Sequence, residues 1–190
     1  MTILSALLVF TTLGGGNESF VVDASARIAY TVSISREDLR LYVDDLGLFR
    51  RNMSGVVGVD SLGHDTFLYR TSREVPLKGT MDADFVIQRT VANDTLTVYR
   101  TPDASDPNWM ECRVELTPVG ARETSISIAL RLRMERDHGY EVHRLAPVVG
   151  ADFISDRMKE ELAGMLKEFA ERSSKELYER FPALSQSRKE

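Results

Sequence analysis

The chain has 190 residues, of which 43% are A, V, I, L, M, F, W, Y or C and 28% are charged; 24 basic and 29 acidic side chains leave a net charge of −5. One domain with a sizeable core fits this length and composition, and a disordered chain does not. No apolar run approaches the ~20 residues of a membrane-spanning helix, the mixed signs offer no basic face to nucleic acid, and the single Cys112 excludes an internal disulfide and a thiolate zinc site.

Residues 2–10 read TILSALLVF and are followed by TTLGGGN. Three readings stay open for residues 1–16: a short strand or apolar arm, a start codon placed too far upstream, or the hydrophobic stretch of an export signal. No Lys or Arg precedes the stretch and no A-x-A site follows it, which favours the arm and a cytoplasmic protein, with export as the alternative. Gly14-Gly15-Gly16 marks a break. A single domain is expected over 17–182, with a polar tail at 183–190.

From Phe20 to Ile34 every second residue is apolar, which predicts a long strand with one face on a core. Ser35 stops it, and Ser35-x-x-Asp38 resembles a capping box. A short helix is predicted over 36–45, and a second one or a turn over 46–53 with Leu48, Phe49 and Met53. Val56, Val57, Val59 and Leu62 then mark a strand ending in the turn 62–65. The next has Phe67, Tyr69, Thr71 and Arg73 in one phase, and past Gly79 the alternation resumes with Met81, Ala83, Phe85, Ile87 and Val91. Leu96 and Val98 indicate a short strand after the turn 92–94; Arg100, like Arg89, falls on the inward parity but at a strand end, where both are expected to bend out to water. Met110, Cys112, Val114 and Leu116 alternate with polar residues, as do Ile126, Ile128, Leu130, Leu132 and Met134. Short turns between these strands imply an antiparallel meander with one wet face.

After a loop at 137–150 the period becomes 3.6, with Ile154, Met158, Leu162, Met165, Phe169, Leu177 and Phe181 on one stripe. A helix is predicted over 152–180, capped by Asp152 and roughly 40 Å long at 1.5 Å per residue. A stripe of that length needs an equally long partner, and the concave face of the sheet is the candidate.

One strand, two short helices, six antiparallel strands and a long C-terminal helix: this order resembles the helix-grip fold of the START/Bet v 1-like superfamily, in particular its polyketide cyclase/dehydrase-like members. The resemblance covers about residues 18–181 and rests on Ala24, Tyr30 and Ser35-Arg36-Glu37-Asp38-Leu39, on the segment Gly55 to Gly63, and on the helix Met158 to Ala170. It implies an α+β fold in which a curved seven-stranded antiparallel sheet surrounds the long C-terminal helix and leaves a cavity between them. Members of the superfamily use that cavity for apolar ligands, some cyclise or dehydrate the bound molecule, and some act in protein interactions, so fold does not set function.

The expected ligand is a hydrophobic or amphipathic small molecule held by Phe67, Tyr69, Thr71, Arg73, Phe85, Val114, Met158, Leu162 and Met165. Its mouth is expected near 75–79, 101–108 and 137–151. Arg73 is the polar feature nearest the middle of this face, either shifted outward by a bulge before Pro76, paired with an acid of the long helix, or anchoring a ligand carboxylate. An enzyme would need a positioned acid or base, for which Arg73, Tyr69 and His143 are the candidates. A filled interior would instead indicate an interaction module. His64, His138 and His143 lack metal-ligand spacing, no phosphate-loop pattern follows the triple glycine, and Cys112 reads as a core residue, so neither metal nor cofactor is expected. The sequence names no protein partner.

Overall fold

A computed structural model of the chain describes residues 19–45, 47–75 and 79–181. The arm at 1–16, the tail at 183–190 and the side chains of Leu48 and Phe49 lie outside the described residues. Strand β1 (Phe20–Val32) leads to helices α1 (Arg36–Val43) and α2 (Gly47–Asn52). Six strands follow, β2 (Val56–Gly63), β3 (Thr66–Val75), β4 (Gly79–Val91), β5 (Leu96–Arg100), β6 (Asn108–Gly120) and β7 (Glu123–Arg136). A short 3₁₀ turn at Gly139–Glu141 precedes helix α3 (Ala146–Arg180). The seven strands form one antiparallel sheet in the order β1-β7-β6-β5-β4-β3-β2. Its ends are β1 and β2, and α3 lies along β1 across the concave face. This is the α+β helix-grip architecture. Among the described residues, no helix is long and apolar enough to cross a membrane.

The strongest periodicities produce the expected faces. On β7, Ile126, Ile128, Leu130 and Met134 are buried and Leu132 half-buried; opposite Ile126, Ile128, Leu130, Leu132 and Met134 in register stand Tyr30, Ile28, Ala26, Ala24 and Val22 of β1. Ser35 caps α1, accepting the Asp38 N–H at 3.2 Å. In α3, Leu162, Leu166, Phe169 and Leu177 are buried against the sheet.

Three expectations need correction. On β5 the phase is the reverse of the predicted one: Thr97 and Tyr99 face the core, while Leu96 and Val98 are half-buried and Arg100 is exposed. The Tyr99 ring fills the concave side and its hydroxyl donates to the Val43 carbonyl at 3.4 Å. On β2 register shifts between Val56 and Gly58 and between Ser61 and Gly63 break the alternation, and Val57 and Leu62, one within each, are exposed. Val91 of β4 is exposed as well. The long helix begins earlier than 152: Ala146 opens a first turn, and Gly150, at φ 84° and ψ 166°, separates it from the main body. Asp152 therefore sits beyond this break, inside the helix, rather than capping it.

The two short helices are tied to the C-terminal half of α3 by a polar cluster that the sequence patterns do not reveal. Buried Asn52 donates to Glu176 Oε2 at 2.6 Å, and the Tyr42 hydroxyl donates to the same oxygen at 2.9 Å. Arg51 reaches Glu176 Oε1 and Asp45 Oδ2, each at 3.1 Å, and Arg180 lies over the Tyr42 ring at 5.3 Å. Burial pushes Glu176 up, but the bonds from Asn52 and Tyr42 and the charge of Arg51 outweigh it and hold the carboxyl below its ordinary value.

Candidate functional site

The half of α3 nearest its start does not fill the sheet. Small residues on the facing strands, Ala83 and Cys112, leave space that Met158, Leu162 and Met165 only border. The result is a cavity of about 530 Å³ between sheet and helix. Phe85, Tyr99, Met110, Leu130 and Leu132 form its sheet side. Leu145, Val149, Phe153 and Ile154 close the side nearest the start of α3, and the turn Met53–Val56 borders the opposite edge.

Of the residues expected to hold a ligand, Tyr69, Thr71, Arg73, Phe85, Met158, Leu162 and Met165 line this cavity. Phe67 and Val114 do not. Both are buried in the solid part of the core, Val114 against Tyr30, Leu39 and Phe169 where the helix packs directly on the sheet. The residues 101–108 expected at the mouth also lie outside the lining, whereas the chain at 142–149 contributes to it. Tyr99 was hidden from the sequence reading by the reversed phase of β5. Arg157, Glu160 and Glu161 have a signal in hindsight, since they are the helical neighbours of Met158 and Leu162.

The polar groups collect at the mouth. Arg73 is not a buried cation: its side chain retains 40% exposure, and its Nη1 lies 3.4 Å from Glu161 Oε2 on α3. The same nitrogen donates to the Met165 thioether at 2.9 Å. Arg157 pairs with Glu160 at 2.6 Å one turn away, and Glu74 completes the rim. Thr71 spends its hydroxyl on the Ala83 carbonyl at 2.7 Å, so it offers the cavity mainly its methyl group. His143 Nδ1 accepts the Leu145 N–H at 3.0 Å, which fixes the ring at the lining.

Deeper in, the titratable groups are kept neutral. Burial raises the phenols of Tyr69 and Tyr99 well above their ordinary value. Burial likewise pushes the Cys112 thiol up to about 12, so it carries no thiolate at neutral pH and has none of the character of a nucleophile. Among the described residues no group of three or more His, Cys, Asp or Glu is arranged to hold a metal ion. Chemically, the site is an apolar chamber with neutral hydroxyls in its wall and a charged rim.

No family model matches the sequence, and no curated protein matches it. Solved structures do match. A START superfamily protein from Mycobacterium smegmatis aligns over 80% of this chain and 98% of its own, with a TM-score of 0.56 at 16% identity. The di-domain aromatase/cyclase StfQ of the steffimycin biosynthetic pathway aligns over 85% of this chain at 9% identity and a TM-score of 0.59, this chain spanning 52% of that one. A conserved protein from Geobacillus kaustophilus aligns over 83% and 96% of the two chains, with a TM-score of 0.54 at 16% identity. At these identities the likeness is one of fold. Together with the element order, the curved sheet and the chamber beneath the long helix, it establishes that this chain has the START/Bet v 1-like, helix-grip fold.

Proposed function

We propose that the protein binds a hydrophobic or amphipathic small molecule, with the apolar part in the chamber and any polar group at the rim. The observation that carries this reading is the 530 Å³ apolar cavity. It falls within the ~300–1,000 Å³ range of small-molecule pockets, and it has the apolar lining with few polar groups that such sites share. An interior of this kind does not suit the filled-interior interaction module.

Arg73 is matched to Glu161, which weakens the case for it as a dedicated carboxylate anchor. A ligand carboxylate would compete with Glu161 in a solvated setting, where an exposed ion pair is worth about 0–1 kcal/mol. The apolar wall is therefore the larger source of affinity.

The test is native mass spectrometry of protein purified without detergent, comparing the wild type with Ala83→Phe. The larger ring enters the cavity from β4, so a co-purifying or added apolar ligand should be lost while the circular dichroism spectrum is retained. Equal ligand occupancy in the two proteins would overturn the reading.

A second reading, a cyclase-type enzyme, has one observation in its favour: Tyr69, Arg73 and His143 line the same chamber. Turnover of an aromatic or polyketide substrate that is lost in both Tyr69→Phe and His143→Ala would support it. Binding without turnover leaves the first reading.

A further inference from the structure

The outer face of the sheet carries a group of arginines that the chamber does not use. Arg27 of β1, Ala129 of β7 and Arg113 of β6 stand side by side in register, so an alanine is flanked by two guanidinium groups. Arg131, two residues further along β7, lies on the same face, with Ser25 and Glu111 as its register neighbours. These side chains line a shallow hollow of about 360 Å³ above Ala129. Like charges set on neighbouring strands destabilise a sheet unless a counter-charge stands between them.

The charges around the hollow do not balance. Arg131 gives Nε and Nη2 to the two Asp23 carboxylate oxygens at 3.1 and 2.5 Å. Arg113 gives Nε to Glu111 Oε1 at 2.8 Å, and Arg100 shares that carboxylate at 3.9 Å. Arg27 has no carboxylate partner among the described residues; its Nε donates to Ser127 Oγ at 3.2 Å. Four arginines thus meet two carboxylates, in a chain whose net charge is −5. Glu115, the next outward residue of β6, stands opposite Ser127 and outside the lining.

The terminal nitrogens of Arg27 and Arg113 are left to a ligand above Ala129. Two strand spacings separate these residues, about 10 Å at roughly 4.8 Å each, a gap that two leaning arginine side chains close around one small anion. A carboxylate offers two oxygens, enough for one guanidinium fork. A phosphate monoester carries about −1.5 to −2 charge at pH 7 and three acceptor oxygens, enough to engage both forks. We propose that Arg27 and Arg113, with Arg131 at the edge, form a site for a phosphate group, free or esterified, on the outer face of the sheet. The hollow faces away from the chamber, so this inference stands apart from the binding function and is tested without an apolar ligand.

The experiment follows the amide NMR spectrum of the full chain as inorganic phosphate is added at constant ionic strength, with acetate as the control. The expected result is saturable shifts at 25–29, 111–115 and 127–131 that acetate does not produce. All three arginines are exposed, so neutral substitutions leave the core intact. Arg27→Gln and Arg113→Gln should each weaken phosphate binding by at least about fivefold. Ala129→Glu, which puts a carboxylate into the hollow, should abolish it. Glycerol 3-phosphate and phosphatidylcholine vesicles containing phosphatidic acid separate the two sources of the group. Saturable binding of the first at the same amides assigns the site to soluble esters; partition onto the second that Arg27→Gln abolishes assigns it to a lipid headgroup. Shifts that rise linearly and spread over the surface, an equal response to acetate, or an unchanged affinity in both arginine variants would overturn the proposal.

Discussion

Glu176 illustrates how much a single side chain can do at the margin of this core. It accepts hydrogen bonds from Asn52 and Tyr42 and faces Arg51 and Arg180, so one carboxylate joins both short helices to α3. Its folded-state pKa is depressed, so the stability it contributes is complete above the ordinary glutamate value, about 4.3. That contribution is lost as the pH falls below this value and through the folded-state pKa. Glu176→Gln should lower the melting temperature at pH 7 and flatten the fall in stability between about pH 5 and pH 3. Denaturant unfolding of both proteins across that range checks the sign, and parallel acid limbs would refute it. At the same scale the sequence reading fails for a clear reason. Tyr42 and Asn52 are ten residues apart and Glu176 lies more than a hundred further on, so no local pattern joins them.

At the scale of elements, legibility follows the environment of each strand. β7 is long, apolar on one face and polar on the other, so its period of two survives any small error in register. β5 has five residues, with apolar or aromatic side chains in both phases, and its buried phase is made of Thr97 and Tyr99. Hydropathy alone favours Leu96 and Val98; the tertiary packing instead buries the Tyr99 ring, whose hydroxyl reaches the Val43 carbonyl. The break in α3 has the same origin. Gly150 holds a conformation open essentially to glycine, at φ 84° and ψ 166°. It turns the first helical turn so that Ala146 is buried and Leu145 and Val149 reach the cavity rim. Gly150→Ala should cost about 1–3 kcal/mol from backbone strain alone, because an added Cβ has no neighbour within 4 Å to clash with. Thermal unfolding measures this, and an unchanged melting temperature would show that the turn relaxes into a continuous helix.

For the whole molecule the governing quantity is the mismatch between a long helix and a sheet that curves away from it. Toward its C-terminal end α3 packs closely, with Phe169 and Leu177 buried and Ser173 bonded to the Tyr30 hydroxyl at 2.9 Å. Toward its start the sheet departs and about 530 Å³ is left open. On the proposed function, that volume sets the ligand's size. It suits a single-chain amphiphile or a fused-ring molecule of about 15–30 non-hydrogen atoms and is too small for a two-chain phospholipid. Native mass spectrometry with equimolar palmitate and dipalmitoylphosphatidylcholine should show the first bound and not the second; the reverse result would mean the cavity expands or is not the binding site.

The number of strands, their antiparallel order, the two short helices and the long amphipathic helix were all determined by the sequence on its own. Most are written in a local alternation or a 3.6-residue period, β2 and β5 being marked instead by apolar residues between turns, and the order of such elements admits few topologies. The tertiary structure decided where the interior is solid and where it is hollow. Phe67 and Val114 share parity with Tyr69, Phe85 and Cys112, yet the first two pack against neighbours while the others face the cavity. Parity states only which face a residue occupies; what stands opposite depends on the curvature of the sheet and the path of α3. Arg73 shows the same division: its inward phase was legible, but its pairing with Glu161 required the helix to pass within reach of β3.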